Sequence, residues 1–154
     1  KNLLSLTDEC EIEFESIRKV IQDLKDTDNW HPEYDDASKA LENIYRQEKY
    51  DVCDMLIQER VLLTMKNLSG LCQYPSAFVS VKKVIQHLKD IGCWDPNCCD
   101  ASEALGNAYW QQLYDVCDLL VQEGVSLTMK NLPGVKCEFK ASFESFKKAI
   151  EYLK

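Results

Sequence analysis

Sliding the chain along itself by 64 residues lays Ser16–Gly70 over Ser80–Gly134, with about 34 of the 55 aligned positions identical. A fixed period of this kind marks a repeat architecture, in which each unit buries its apolar face against its neighbours. The most faithful stretch is Tyr50-Asp51-Val52-Cys53-Asp54, which returns as Tyr114-Asp115-Val116-Cys117-Asp118. A third copy opens at Phe143-Glu144-Ser145, echoing Phe14-Glu15-Ser16, and stops with the chain at Lys154. One domain over residues 1–154 is therefore expected, with units near 14–77, 78–142 and a partial 143–154. Because the pattern begins and ends inside a unit, a piece of a longer chain is also expected.

Within each unit the apolar residues recur at spacings of three and four, which puts them on one face of a helix. The first helix carries Phe14, Ile17, Val20, Ile21 and Leu24, then Phe78, Val81, Val84, Ile85 and Leu88 in the second copy. The third copy offers Phe143, Phe146, Ala149, Ile150 and Leu153. Trp30 with Pro32, and Trp94 with Pro96, follow where a helix should stop. Asp36 and Asp100 are expected to cap the next helix, and Asp51 and Asp115 the one after, each accepting from free backbone N–H groups. Its inward set is Val52, Cys53, Leu56, Ile57 and Val61, with Gly124 suited to its end in the second copy and Arg60 standing there in the first. Leu63-Thr64-Met65-Lys66-Asn67-Leu68 recurs identically at 127–132. Thr64 or Thr128 suits a short capped helix, and an extended course stays open. Each 64-residue unit thus reads as two helical hairpins of about 32 residues. The expected fold is all-α, a right-handed superhelix (an α-solenoid) of stacked antiparallel hairpins with about two and a half 64-residue repeats.

The net charge of −8 disfavours a surface that tracks phosphates with Lys and Arg. No apolar run approaches the roughly 18–20 residues of a membrane span, so no membrane partner is expected. Of eight cysteines, Cys10, Cys72 and Cys137 occupy similar places in successive repeats, and Cys53 and Cys117 recur at one position. Recurrence at a helical position suits a small buried side chain. Cys93, Cys98 and Cys99 have no counterparts, and their spacing lacks the paired Cys-x2-Cys of structural zinc sites. With a chain long enough to build a core, reduced thiols and a cytoplasmic or nuclear location are expected.

Ala104-Leu105-Gly106-Asn107-Ala108-Tyr109, followed by Tyr114 and the small Cys117, resembles a tetratricopeptide repeat. Val121-Gln122-Glu123-Gly124-Val125 before Leu127-Thr128 is similar to the second-helix end of a pentatricopeptide repeat. Both resemblances imply stacked helical pairs that present a binding surface and no catalytic site. The first copy departs from the tetratricopeptide pattern, with Glu42 where Gly106 stands.

No Gly-rich phosphate loop, nucleophile elbow or His-Glu-x-x-His is present, and no metal, cofactor or catalytic group is expected. Both histidines, His31 and His87, fall in polar stretches and are expected to face solvent. The paired carboxylates Asp35-Asp36, and Asp51 with Asp54, are explained by helix starts. Shared residues describe the common core, so partner-binding candidates are sought where the copies differ: Arg46, Lys49, Arg60, His87, Trp110 and Leu113. Trp110 is a partner anchor if exposed and a core residue if not. The expected function is non-enzymatic: an interaction or assembly scaffold for a protein or peptide partner, with self-association included. The alternative is a pentatricopeptide-like module for single-stranded RNA.

Overall fold

The computed structural model describes residues 2–8, 12–128, 147, 150 and 151. Cys10, Cys137, the 129–132 part of the second Leu-Thr-Met-Lys-Asn-Leu copy and most of the third copy lie outside the described residues. Eight helices and no strand are found among those described. They are α1 (Leu3–Thr7), α2 (Phe14–Asp26), α3 (Asp35–Arg46), α4 (Tyr50–Gln58), α5 (Met65–Cys72), α6 (Phe78–Asp90), α7 (Cys99–Trp110) and α8 (Tyr114–Gln122).

Each helix forms where the 3.6-residue period puts its apolar stripe. Ala37, Ala40, Leu41, Ile44 and Tyr45 of α3 are all buried, as are Ala101, Ala104, Leu105, Ala108 and Tyr109 of α7. On α2 the stripe is shallower: Ile17 and Ile21 are buried, while Phe14 is exposed. The helix starts differ from expectation. Tyr34 and Cys98 occupy the N-cap positions of α3 and α7 without a side-chain cap bond, and Asp36 and Asp100 lie inside the first turn. Asp51 and Asp115 likewise sit inside α4 and α8, where each carboxylate accepts from the next residue's N–H at 2.9 and 2.8 Å. A first-turn carboxylate still favours the positive helix end without capping it. The fourth segment is helical rather than extended: Thr64 and Asn67 form a reciprocal capping box at the start of α5.

Helix ends carry the clearest mark of the period. Asp28, Arg60, Gly92 and Gly124 follow α2, α4, α6 and α8, evenly spaced at half the sequence period, and all have positive φ. After each, an N–H reaches back to the helix: Asn29 to Leu24, Val61 to Leu56, Cys93 to Leu88 and Val125 to Leu120, at 2.7–3.0 Å. This is the left-handed helix end that glycine adopts without steric cost. Arg60, at φ 71°, occupies it with a Cβ, which costs roughly 1–2 kcal/mol. Arg60→Gly is therefore expected to raise stability by up to about 1 kcal/mol once glycine's larger unfolded-state entropy is subtracted. A thermal melt reads this as a higher Tm, and a lowered Tm would contradict the assignment.

Contacts pair α1 with α2, α3 with α4, α5 with α6 and α7 with α8. The hairpins thus begin at α1, α3, α5 and α7, out of phase with a unit counted from Phe14 at the start of α2. The first helices of the hairpins pack in succession, α3 on α1, α5 on α3 and α7 on α5. Side-chain amides repeat one bonding pattern along that row. Gln47 Nε2 donates to the Thr7 carbonyl at 2.8 Å, and its counterpart in the next unit, Gln111 Nε2, donates to that of Gln73 at 2.7 Å. Asn43 Nδ2 donates to Thr7 Oγ1 and Asn107 Nδ2 to the Ser69 carbonyl. The core between the layers is continuous, with Leu41, Ile44, Leu56, Leu68, Leu71, Leu105 and Leu120 almost fully buried. Each such side chain contributes about 1.5–3 kcal/mol relative to exposure.

Candidate binding groove

A groove of about 440 Å³ runs along the row α3–α5–α7. Its rim draws Asp35 and Asp36 from α3, Lys66 from α5, and Asp100 and Glu103 from α7. Glu42 forms part of its floor, only 3% exposed. A buried carboxylate must be compensated by charge and hydrogen bonds, and Glu42 has three partners. Lys39 pairs with Oε2 from the preceding turn. Arg46 Nη2 approaches the same oxygen at 3.3 Å. Asn67 Nδ2 of α5 donates to Oε1 at 3.2 Å, while Asn67 Oδ1 accepts from the Thr64 N–H at 2.9 Å. One side chain therefore ties α3 to the cap of α5.

Gly70 makes room for that tie. A Cβ there would lie 2.6 Å from Glu42 Oε1, inside any ordinary contact distance. In the second copy the position of Glu42 is taken by Gly106, which is buried. The two inner junctions are thus built differently: a buried charge between α3 and α5, and small residues with Asn107 between α7 and α5.

Asp35, Asp36, Asp100 and Glu103 make no ion pair among the described residues. With Glu42 they set five carboxylates against Lys39 and Lys66 in the groove lining. Its field therefore attracts cations and repels phosphate.

The six residues singled out by copy-to-copy difference do not form one site. Arg46 and Lys49 lie at the α3–α4 turn, and Trp110 and Leu113 at the matching α7–α8 turn. Arg46 is already engaged, paired to Glu42 and stacked over the Tyr74 ring at 4.3 Å from its centroid. Lys49 is exposed, Trp110 half-buried, and Leu113 half-buried against the core. Arg60 and His87 fall elsewhere, Arg60 at the end of α4 and His87 on α6. The expectation for His87 is wrong: it is buried, and its Nε2 accepts from the Leu63 N–H at 3.4 Å. Its side chain lies on the face of α6 that carries the buried Val84 and Leu88. His31 is exposed and stacks on Tyr34 with ring centroids 4.5 Å apart.

Groove residues missed from sequence were detectable by the same criterion. Lys39 against Glu103, Asp35 against Cys99 and Glu42 against Gly106 are all differences between copies.

Cys53 and Cys72 lack the character of reactive thiols. Cys53, Cys72 and Cys117 are buried. Burial, then the Asp54 and Asp51 carboxylates, push the Cys53 thiol far above its ordinary range. Burial, then Glu42, raise Cys72 to about 12. Both stay protonated at neutral pH, and the thiolate is the nucleophile and metal ligand. No group of three or more His, Cys, Asp or Glu side chains is placed to hold a metal among the described residues. No described helix is long and apolar enough to cross a membrane.

No family model matches the chain, and neither a curated protein nor a solved structure matches it.

Proposed function

We propose that this chain is a segment of a right-handed α-solenoid, about two and a half 64-residue repeats long, that works as a non-enzymatic protein-interaction module. In this proposal the α3–α5–α7 groove receives a basic, extended segment of a protein partner. The succession of first helices and the evenly recurring left-handed helix ends support the solenoid. The observation that carries the function is the groove itself, lined by Asp35, Asp36, Asp100 and Glu103, which make no ion pair among the described residues. Reduced buried thiols fit a cytoplasmic or nuclear protein.

The test is fluorescence anisotropy with three labelled probes: a Lys/Arg-rich peptide of about a dozen residues, its Glu/Asp counterpart and single-stranded RNA. The basic peptide is expected to bind, and to weaken as salt rises, because exposed charges are screened. Reversing Asp100 and Glu103 to lysine is expected to reduce that affinity at least about tenfold, a 1.4 kcal/mol change. Binding of RNA in place of the peptide, with a steep salt dependence, would support the nucleic-acid alternative and overturn this proposal.

A further inference from the structure

His87 lies on α6 beneath the link from α4 to α5. That link runs from Arg60, in its left-handed conformation, through Val61, Leu62 and Leu63 to Thr64, the N-cap of α5. Two nearby N–H groups are taken up locally: Val61, two residues before Leu63, bonds back to Leu56, and Thr64, the next residue, bonds to Asn67. The Leu63 N–H instead donates to His87 Nε2, and Leu63 itself is only 1% exposed. A buried N–H without an acceptor costs about 1–3 kcal/mol, so this single bond matters to how the link is held. Among the described residues the imidazole supplies a hydrogen bond from α6 to the link.

Nε2 can accept only in the neutral ring, where it carries a free lone pair, since both nitrogens of a protonated histidine are donors. Protonation therefore removes the bond and places a charge in a buried site together. We propose that His87 is a pH-operated latch, which holds α6 to the segment entering α5 when neutral and releases it when protonated.

The surroundings favour the neutral ring. Burial lowers the His87 pKa from its ordinary value, and Asp90, one turn along the same helix, opposes this more weakly. The charged groups on neighbouring elements do not offset burial. Lys66, the one charged residue of α5, is exposed. From the α8 side, Glu123 is taken up by Lys89. On α3, Glu42 and Arg46 are paired with each other. A base whose folded pKa is depressed contributes stability that is full above its unfolded value and lost as pH falls through it. The window thus opens below about pH 6.5. The equivalent position on α2 is Asp23, which is exposed, so the latch belongs to one junction only.

The link continues into Thr64, Lys66 and Asn67, which line the groove. An effect of the latch on peptide binding rests on the groove proposal, but the latch does not. Amide hydrogen exchange on the free protein tests it without any ligand. Protection of the Leu63 amide, corrected for intrinsic exchange, is followed between pH 7.5 and 5.5 in the wild type and in His87→Gln. Glutamine keeps an acceptor and does not titrate. Protection in the wild type is expected to fall up to about tenfold, the limit for a group of ordinary pKa near 6.5 one unit below it. In His87→Gln it should change less than about threefold on the same scale. Unchanged wild-type protection, or an equal fall in both proteins, would overturn the proposal. The wild-type measurement stands alone if the variant does not fold. Failure of the basic peptide to bind leaves this result untouched.

Discussion

Leu41→Ala and Leu105→Ala are each expected to lower unfolding free energy by about 2–5 kcal/mol, the range for emptying a close-packed core site. The two residues occupy equivalent positions in the two units, and neither has any exposed surface. Leu41 sits on α3 between α1 and α5, and Leu105 on α7 against α5 and α8. Both lie in one continuous core of buried side chains, so truncation leaves a cavity that rigid neighbours fill only in part. Urea titration reads the loss directly, and a melt should show Tm lower by roughly 5–15 °C for a chain of this size. A loss below about 1 kcal/mol at either site is outside the range for a filled core position and would place that leucine outside the continuous core.

The second large effect belongs to Gly70. Gly70→Val should cost about 1–3 kcal/mol, the range for forcing extra carbon into a packed site. At an open helical position the same change would stabilise, because glycine is a poor helix former. The sign is decided by Glu42. Its carboxylate is the end of a flexible side chain, but it is buried and held by Lys39, Arg46 and Asn67, so moving it breaks those bonds. A double-mutant cycle isolates the contact. In a Glu42→Gly background, which copies what the second repeat has at Gly106, Gly70→Val should become neutral or favourable. A coupling energy below about 0.5 kcal/mol is the level of independent sites and would show that the two positions do not share space.

Much of this fold is legible in the sequence, because duplication prints each packing problem twice. The buried faces of α3 and α7 follow from Ala37 and Ala101, Leu41 and Leu105, Tyr45 and Tyr109, which repeat in type and position. The helix starts are less legible. Asp36 and Asp100 have the chemistry of caps, yet the cap falls earlier in the chain, at Tyr34 and Cys98, where the backbone is extended. Local propensity cannot fix a boundary to one residue when tertiary packing sets it. Polarity misled in the case of His87. A histidine among Gln, Lys and Asp looks exposed, but the 3.6-residue period turns it inward beside Val84 and Leu88.

The groove is the least legible feature of the sequence. Its rim comes from three helices well separated in the chain, Asp36 and Glu103 being opposite walls. Only the packing order brings them together, and no spacing within one helix announces it. The repeated Tyr-Asp-Val-Cys-Asp stretch shows the reverse: it looks like chemistry and is packing. Its Cys53 is buried and protonated, and its Tyr50 hydroxyl lies 2.8 Å from Ser80 Oγ, which in turn donates to the Tyr45 carbonyl at 2.7 Å. That chain of bonds joins α6 to the α3–α4 hairpin.

Occupation of the α3–α5–α7 groove by a basic partner can be read residue by residue. Amide chemical shifts of the labelled protein are followed during titration with the Lys/Arg-rich peptide. Shifts are expected to gather at Asp36, Lys39, Lys66, Gly70, Asp100 and Glu103, with α2 and the outer face of α6 unmoved. Shifts centred on the α3–α4 and α7–α8 turns, on the outer helices, or nowhere at saturating peptide would contradict groove binding.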